Sequence, residues 1–242
     1  MVTRRLPDTA DGPTRLYAVG DVHGHADKLA AMHEAIRRDL ATAPTPRPLL
    51  IHLGDYIDRG PDSARALSLV GPAPPLPGVP TVNLIGNHER MLLDALESPS
   101  RETAGLWLEN GGAATLASWG IRADEPRERW RSLIPPAHLA LLQGLALHHR
   151  AGQFLFVHAG VRPGVPLAEQ RPHDLVWIRL PFLMWDGAML PEAPETIVVH
   201  GHTPELAPVV LPHRIGIDTG AAYGGPLTCV ALGAEEPRFL AV

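Results

Sequence analysis

Five short glycine-bearing strings, each directly behind an apolar or β-branched run, constrain this chain more than any other feature. They are GDVHG (20–24), GDYIDRG (54–60), GNHE (86–89), HAG (158–160) and HGHT (200–203). Loops at the carboxyl ends of strands are where α/β folds gather their sites. Each string offers an oxygen or imidazole donor, and each carries glycine, which lets the backbone turn tightly beside a ligand. Asp21 and His23 stand at i and i+2, on one side of an extended segment, so both can face one ion. GDYIDRG crowds two carboxylates and a guanidinium between glycines, a cluster that is costly to leave unpaired. Any one string could be an ordinary turn. Five in one chain point to a single site.

The rest of the pattern supplies a scaffold. Strands are predicted at 15–20, 48–54 and 81–86, alternating with helices at 26–40, 62–70 and 89–97. Leu29, Met32, Ile36 and Leu40 give the first helix one apolar face, and Asp62 or Ser63 starts the second. Residues 101–147 read as mostly helical, with Trp107, Leu108, Leu116 and Trp119 as apolar anchors. Beyond them the chain turns strand-like, at 154–157, 196–199, 209–211, 214–217 and 227–232. The Pro-rich stretches 41–48 and 71–80 read as loops. This order predicts two sheets face to face with helices outside, as one domain over 1–242 behind a flexible N-terminal segment, 1–14.

Composition excludes several alternatives. A formal charge of −5 disfavours nucleic-acid or anionic-membrane partners. No apolar run approaches the roughly 20 residues needed to cross a bilayer, and the N-terminal residues lack the apolar core of a signal peptide. The single cysteine, Cys229, excludes an intrachain disulfide, a Cys-rich zinc site and an iron–sulfur cluster, and sets a cytoplasmic expectation. Nothing in the sequence sets an oligomeric state. Lysine occurs once, at Lys28; the other 20 of the 21 basic residues are arginine.

In this order the strings resemble the metallophosphoesterase superfamily, and GDxHG, GDxxDRG and GNHE resemble its phosphoprotein-phosphatase branch. The likeness is to the bacteriophage lambda and bacterial Ser/Thr protein phosphatases. It extends to WLENGG (107–112) and to Ile-Asp-Thr-Gly (217–220), and runs from about Leu16 to Leu232. It implies an α/β (α+β) fold, a calcineurin-like four-layer β-sandwich of two mixed sheets flanked by helices. It implies two divalent metal ions, Mn²⁺ first and Fe²⁺ or Zn²⁺ as alternatives, which suits oxygen and nitrogen donors without thiolate. By resemblance Asp21, His23 and Asp55 bind one ion, Asp55 bridges, and Asn87, His158 and His202 complete the other. A hydroxide bridging the ions attacks phosphorus, His88 protonates the leaving oxygen, Asp58 holds His88, and Arg59 and Arg179 bind phosphate oxygens. Tyr223 matches an aromatic near the site mouth. Spacing alone allows His200 or His202 as the last ligand; the Gly-His-Thr string favours His202. Asp218 either orients a ligand histidine or closes a turn. His52, His148, His149 and His213 carry no motif and read as surface or packing residues.

The implied function is a dinuclear-metal phosphomonoesterase, a protein Ser/Thr phosphatase acting on phosphorylated proteins or small phosphate esters. The alternatives are a symmetrical dinucleoside tetraphosphate hydrolase, a broad small-molecule phosphatase and a catalytically silent metal-binding domain. The complete set of donors, acid and arginine counts against silence. One departure is Ile85, where the resembling enzymes place a phosphate-site arginine before Gly-Asn-His-Glu.

Overall fold

The computed structural model describes residues 14–122, 124–233 and 236–242. The segment expected to be flexible lies outside these residues except for Thr14, whose N–H donates to Arg47 O. Strands β1 (Arg15–Val19), β2 (Pro48–His52) and β3 (Thr81–Asn83) pair in parallel. A second sheet holds β4 (His148–Ala151), β5 (Phe154–Val157), β6 (Ile197–His200), β7 (Val209–Val210) and β8 (Arg214–Gly216), in the order β4-β5-β6-β8-β7. The chain then returns to the first sheet with β9 (Thr228–Leu232) and β10 (Arg238–Ala241), completing the order β10-β9-β1-β2-β3.

Period-two burial makes the layers. Leu16 and Ala18 of β1 face Ile51, Phe154, Phe156, Val199 and Ile215 in a core between the sheets. Tyr17 and Val19, one residue out of phase, face α1 (Ala26–Thr42), α2 (Ser63–Val70) and α3 (Asn87–Glu97). Helices α4 (Arg101–Trp107), α5 (Ala113–Ser118), α6 (Arg127–Leu133) and α7 (Pro136–Gln143) add Trp107, Leu116, Trp130 and Leu142 to that outer core. On the other side, Leu155, Val157 and Val198 pack on Leu175 and Phe182, from α8 (Pro172–Trp177) and α9 (Leu180–Leu183). The result is the expected four-layer sandwich of two mixed five-stranded sheets flanked by helices.

Several boundaries differ from the sequence expectation, for local reasons. Asp62 rather than Ser63 caps α2, its carboxylate accepting Arg65 N–H at 2.9 Å. The third strand stops at Asn83; Leu84 keeps only a bridge to Ala146, and the chain bends so that α3 begins at Asn87, two residues early. β4 and β10 escaped the sequence reading because both are four-residue strands with at most one buried residue each. β6 ends at His200, so His200 and His202 do not share a strand face. Because β1, β2 and β3 run parallel in one sheet and β5 and β6 in the other, all five strings leave their strands at one end of the sandwich.

Candidate metal centre

Backbone bonds join the loops before any side chain is considered. Val22 N and His23 N donate to Asp55 O at 3.0 and 2.8 Å, and Gly24 N donates to Tyr56 O at 2.8 Å. The Glu89 carboxylate, fully buried, accepts from Gly86 N, Asp55 N, Tyr56 N and Ile57 N at 2.9, 2.8, 2.8 and 3.3 Å. Gly86 is required, since a Cβ there would meet the Asp55 carboxylate; Gly201 is required in the same way against Asp21. Among the described residues, the non-glycine positions in left-handed backbone are His23, Asp55, Asp58, Arg59 and His202. All five lie in the strings. Such conformations are strained by about 1–3 kcal/mol each and persist where the surroundings over-determine them, which marks functional sites.

Two sets of donors converge. One atom each from His23, Asp55 and His88 lie within 4.8 Å of one another, as do one each from Asp55, His158 and His202; all five residues are buried. Asp55 belongs to both sets. Asn87 Oδ1 lies 3.0 Å from His158 Nε2 and 2.9 Å from His202 Nδ1. Asp21 is in neither set: its carboxylate accepts the His202 N–H at 3.0 Å. His23 and His158 each hold a backbone carbonyl through Nδ1, Ile57 O at 3.0 Å and Leu53 O at 2.9 Å, which leaves Nε2 facing the site. This is how metal-binding imidazoles are oriented elsewhere. Buried nitrogen and oxygen donors around a shared carboxylate fit divalent ions.

Charge at the centre is set by burial and by the carboxylates. Burial pushes His23 and His202 down to about 3, so both are neutral and able to donate a lone pair at physiological pH. Burial also opposes the His158 imidazolium, but Asp55, Asp21 and Glu89 outweigh it and raise it to about 10. Burial raises the Asp21 carboxyl well above the ordinary range, reinforced by Asp218. Asp55 goes the other way: burial raises it, yet His158, His88 and His23 together hold it well below that range.

Beside the donors sits a buried pair. His88 Nδ1 lies 2.7 Å from Asp58 Oδ2. Burial opposes the His88 imidazolium, and Asp55 and Asp58 overcome it and raise its pKa. Asp58 is fixed by Trp107 Nε1, which donates to both oxygens at 3.1 and 2.9 Å, and by the Thr115 hydroxyl at 2.6 Å. The Arg59 guanidinium nitrogens lie 2.9 Å from His23 Nε2 and 2.9 Å from His88 Nε2, and the guanidinium lies 5.5 Å from the centre of the Tyr223 ring. Arg179 Nε donates to His202 Nε2 at 3.1 Å.

Other candidates are placed elsewhere. His200 turns away, with Nδ1 3.0 Å from Gly201 O, Nε2 3.3 Å from Arg214 and its ring against Phe182. Asp218 accepts Gly220 N–H at 3.0 Å, closing a turn. Ile85 is buried and lines an apolar cleft of about 410 Å³ with Leu93, Leu142, Leu145 and Trp177. Three residues with no role in the sequence reading prove central to the geometry: Glu89, Trp107 and Thr115. Glu89 three residues after Gly86 was a readable capping signal. Trp107 read only as an anchor, and nothing in the sequence singles out Thr115.

Buried, strained donors of oxygen and imidazole, gathered at the meeting edge of two sheets, define a metal-dependent hydrolytic centre. Residues 14–232 match the Calcineurin-like phosphoesterase family, and the chain belongs to it. A serine/threonine-protein phosphatase 1 of Salmonella typhimurium is 30% identical over 217 residues, covering 88% of this chain and 89% of that protein. A symmetrical bis(5'-nucleosyl)-tetraphosphatase of Methylococcus capsulatus is 30% identical over 155 residues, covering 61% of this chain and 44% of that one. The solved metallophosphoesterase of Sphaerobacter thermophilus shares the fold, with a TM-score of 0.55 at 18% identity, covering 95% and 88% of the two chains. This chain is therefore a metal-dependent phosphoester hydrolase, and its substrates are phosphate esters. No helix among the described residues is long and apolar enough to cross a membrane.

Proposed function

We propose that this protein is a dinuclear-metal phosphomonoesterase that removes phosphate from serine or threonine side chains of proteins, working in the cytoplasm. The observation that carries the reading is the Asp58–His88 pair. A Ser or Thr alkoxide is a poor leaving group and needs a proton as the P–O bond breaks. A buried imidazole held at 2.7 Å by a carboxylate, itself fixed by Trp107 and Thr115, suits that demand.

In this reading Asp21, His23 and Asp55 hold one ion, and Asp55, Asn87, His158 and His202 hold a second. Manganese is the expected metal, given hard and borderline donors without thiolate. When bound, the ions supply Lewis acidity at the phosphoryl oxygens and lower the pKa of water toward 7. The remaining steps belong to the chain. Arg59, beside His23 and His88, and Arg179, beside His202, bind phosphate oxygens. His88, as the imidazolium that Asp58 favours through Nδ1, gives its Nε2 proton to the leaving oxygen. With Ile85 in the expected place of an arginine, phosphate binding rests on these two guanidinium groups.

A second reading, hydrolysis of dinucleoside tetraphosphates, is favoured by relatives that carry that name. Its leaving group is a nucleotide phosphate, which departs readily without a proton. One experiment separates the two: initial rates with Mn²⁺ on a phosphoserine peptide, diadenosine tetraphosphate and p-nitrophenyl phosphate, for wild type and His88→Asn. The phosphatase reading expects the peptide to be preferred, and the variant to slow the peptide about 10²-fold or more beyond p-nitrophenyl phosphate. Preference for the dinucleotide, or equal slowing of all three, would replace it.

A further inference from the structure

The single lysine of this chain is committed to two backbone carbonyls at the mouth of the site. Lys28 lies in the first turn of α1, four residues past the end of GDVHG. Its neighbour Asp27 pairs with Arg65, not with Lys28. Lys28 Nζ donates to Gly225 O at 2.6 Å and to Ala221 O at 3.1 Å, across 197 and 193 residues of sequence. Elsewhere the chain uses arginine for its basic residues. An ammonium is a compact point donor and can sit between two converging carbonyls, whereas a guanidinium is a planar fork.

Those carbonyls belong to a short turn. Gly220 and Gly224, at φ 75° and 89°, flank the 3₁₀ turn Ala221–Tyr223. Tyr223 N and Gly225 N both donate to Gly220 O, at 2.8 and 2.9 Å, and the Thr219 hydroxyl donates to Pro226 O at 2.7 Å. These bonds close the base of the turn, buried Ala221 seats one side of it in the outer core, and Lys28 ties its Ala221 and Gly225 carbonyls to α1. The Tyr223 side chain is 68% exposed, and its ring is the face against which the Arg59 guanidinium lies. Arg59 in turn reaches His23 and His88.

We infer that Lys28 is a positioning residue: it straps the turn 220–225 to α1, so that the Tyr223 ring holds Arg59 over the centre for the incoming phosphate group. Lys28 acts through Tyr223 and not on the ester itself. The inference rests on the phosphoester-hydrolase reading of the site, whichever ester is the natural substrate.

The test uses Lys28→Met, Tyr223→Ala and the double variant in the full chain, with p-nitrophenyl phosphate and Mn²⁺. Lys28→Met is expected to raise KM about three- to tenfold, with kcat within about twofold and the thermal midpoint unchanged. Tyr223→Ala should do the same, and the double variant should be no worse than Tyr223→Ala alone, because two residues in one chain of contacts are not additive. Hydrogen exchange should quicken at residues 219–227 in Lys28→Met and stay unchanged in α1. Multiplying effects in the double variant, or unchanged exchange in the turn, overturns the strap. Exchange is read without turnover, so an inactive wild type would count against the enzyme reading while the strap is still decided.

Discussion

Asp55 holds a left-handed backbone at φ 52°, with its carbonyl tied to Val22 and His23 and its N–H to the Glu89 side chain. The Glu89 carboxylate gathers four N–H groups from two different loops, including that of Asp55. Burial, then Asp55, raises the Glu89 carboxyl to about 7, so it sits at the edge of ionisation without the cations that would offset Asp55. Glu89→Gln replaces one of two acceptor oxygens with a donor amide. At least two buried N–H groups then lose their partner, and stability should fall by about 2–6 kcal/mol, at roughly 1–3 kcal/mol per unsatisfied group. The strain at Asp55 relaxes with them, so bound metal should fall below the wild-type ratio. Urea unfolding and metal analysis of the purified variant check both; wild-type metal content in a destabilised variant would confine Glu89 to folding alone.

Between elements, a buried polar chain ties α1 to the first sheet. His33 of α1 lies 2.9 Å from His52 of β2, nitrogen to nitrogen, and His52 lies 2.8 Å from Asn83 of β3. Burial holds His33 down to about 3, assisted by His52, and holds His52 down to about 4. An unfolded histidine titrates near 6.5. Folded-state values below the unfolded one mean the unfolded chain takes up the protons first. This contribution to stability is therefore complete above about pH 6.5 and is lost as pH falls toward 4, by up to about 1.4 kcal/mol per pH unit for each histidine. His33→Gln removes one titrating group and keeps a partner for His52, so the acid limb should flatten relative to wild type between pH 6 and 4.5. Unfolding in chelator keeps the ligand histidines equivalent in both proteins; parallel limbs would place the titration elsewhere.

The same scale shows what could be read from the sequence. Period-two and helical spacing placed β1, β2, α1 and α2 within a few residues, because there apolar pattern and burial coincide. β4 and β10 carry no such pattern, since β4 buries only Ala151 and β10 buries none of its residues. The site residues were legible as strings because each needs glycine and a donor at fixed spacing. His200 and His202 could not be separated by spacing, as the strand end between them depends on tertiary bonds. Thr115 was illegible for a similar reason: it meets Asp58 across 57 residues, and only the packed fold brings it there.

At the scale of the whole molecule, the candidate centre sits on the seam between the sheets. Asp21, Asp55 and Asn87 follow strands of the first sheet, while His158 and His202 follow strands of the second. Ions held by both groups, as proposed, would act as a clamp between the sheets as well as a reaction centre. Ligands that bind only the folded state stabilise it by mass action, by about 2.7 kcal/mol at a free concentration one hundred times Kd. Removing divalent ions also restores the repulsion between Asp21, Asp55 and Asp218, whose buried carboxyls then face one another without cations. Chelation should lower the thermal midpoint by several degrees, and Mn²⁺ should restore it in proportion to the logarithm of its concentration. Asp55→Asn removes the carboxylate shared by both donor sets, so its midpoint should respond little to chelator or to Mn²⁺, and its activity should be lost. A midpoint in wild type that ignores chelation would mean the two sheets hold together without the ions, and a full metal response in Asp55→Asn would refute the shared-carboxylate assignment.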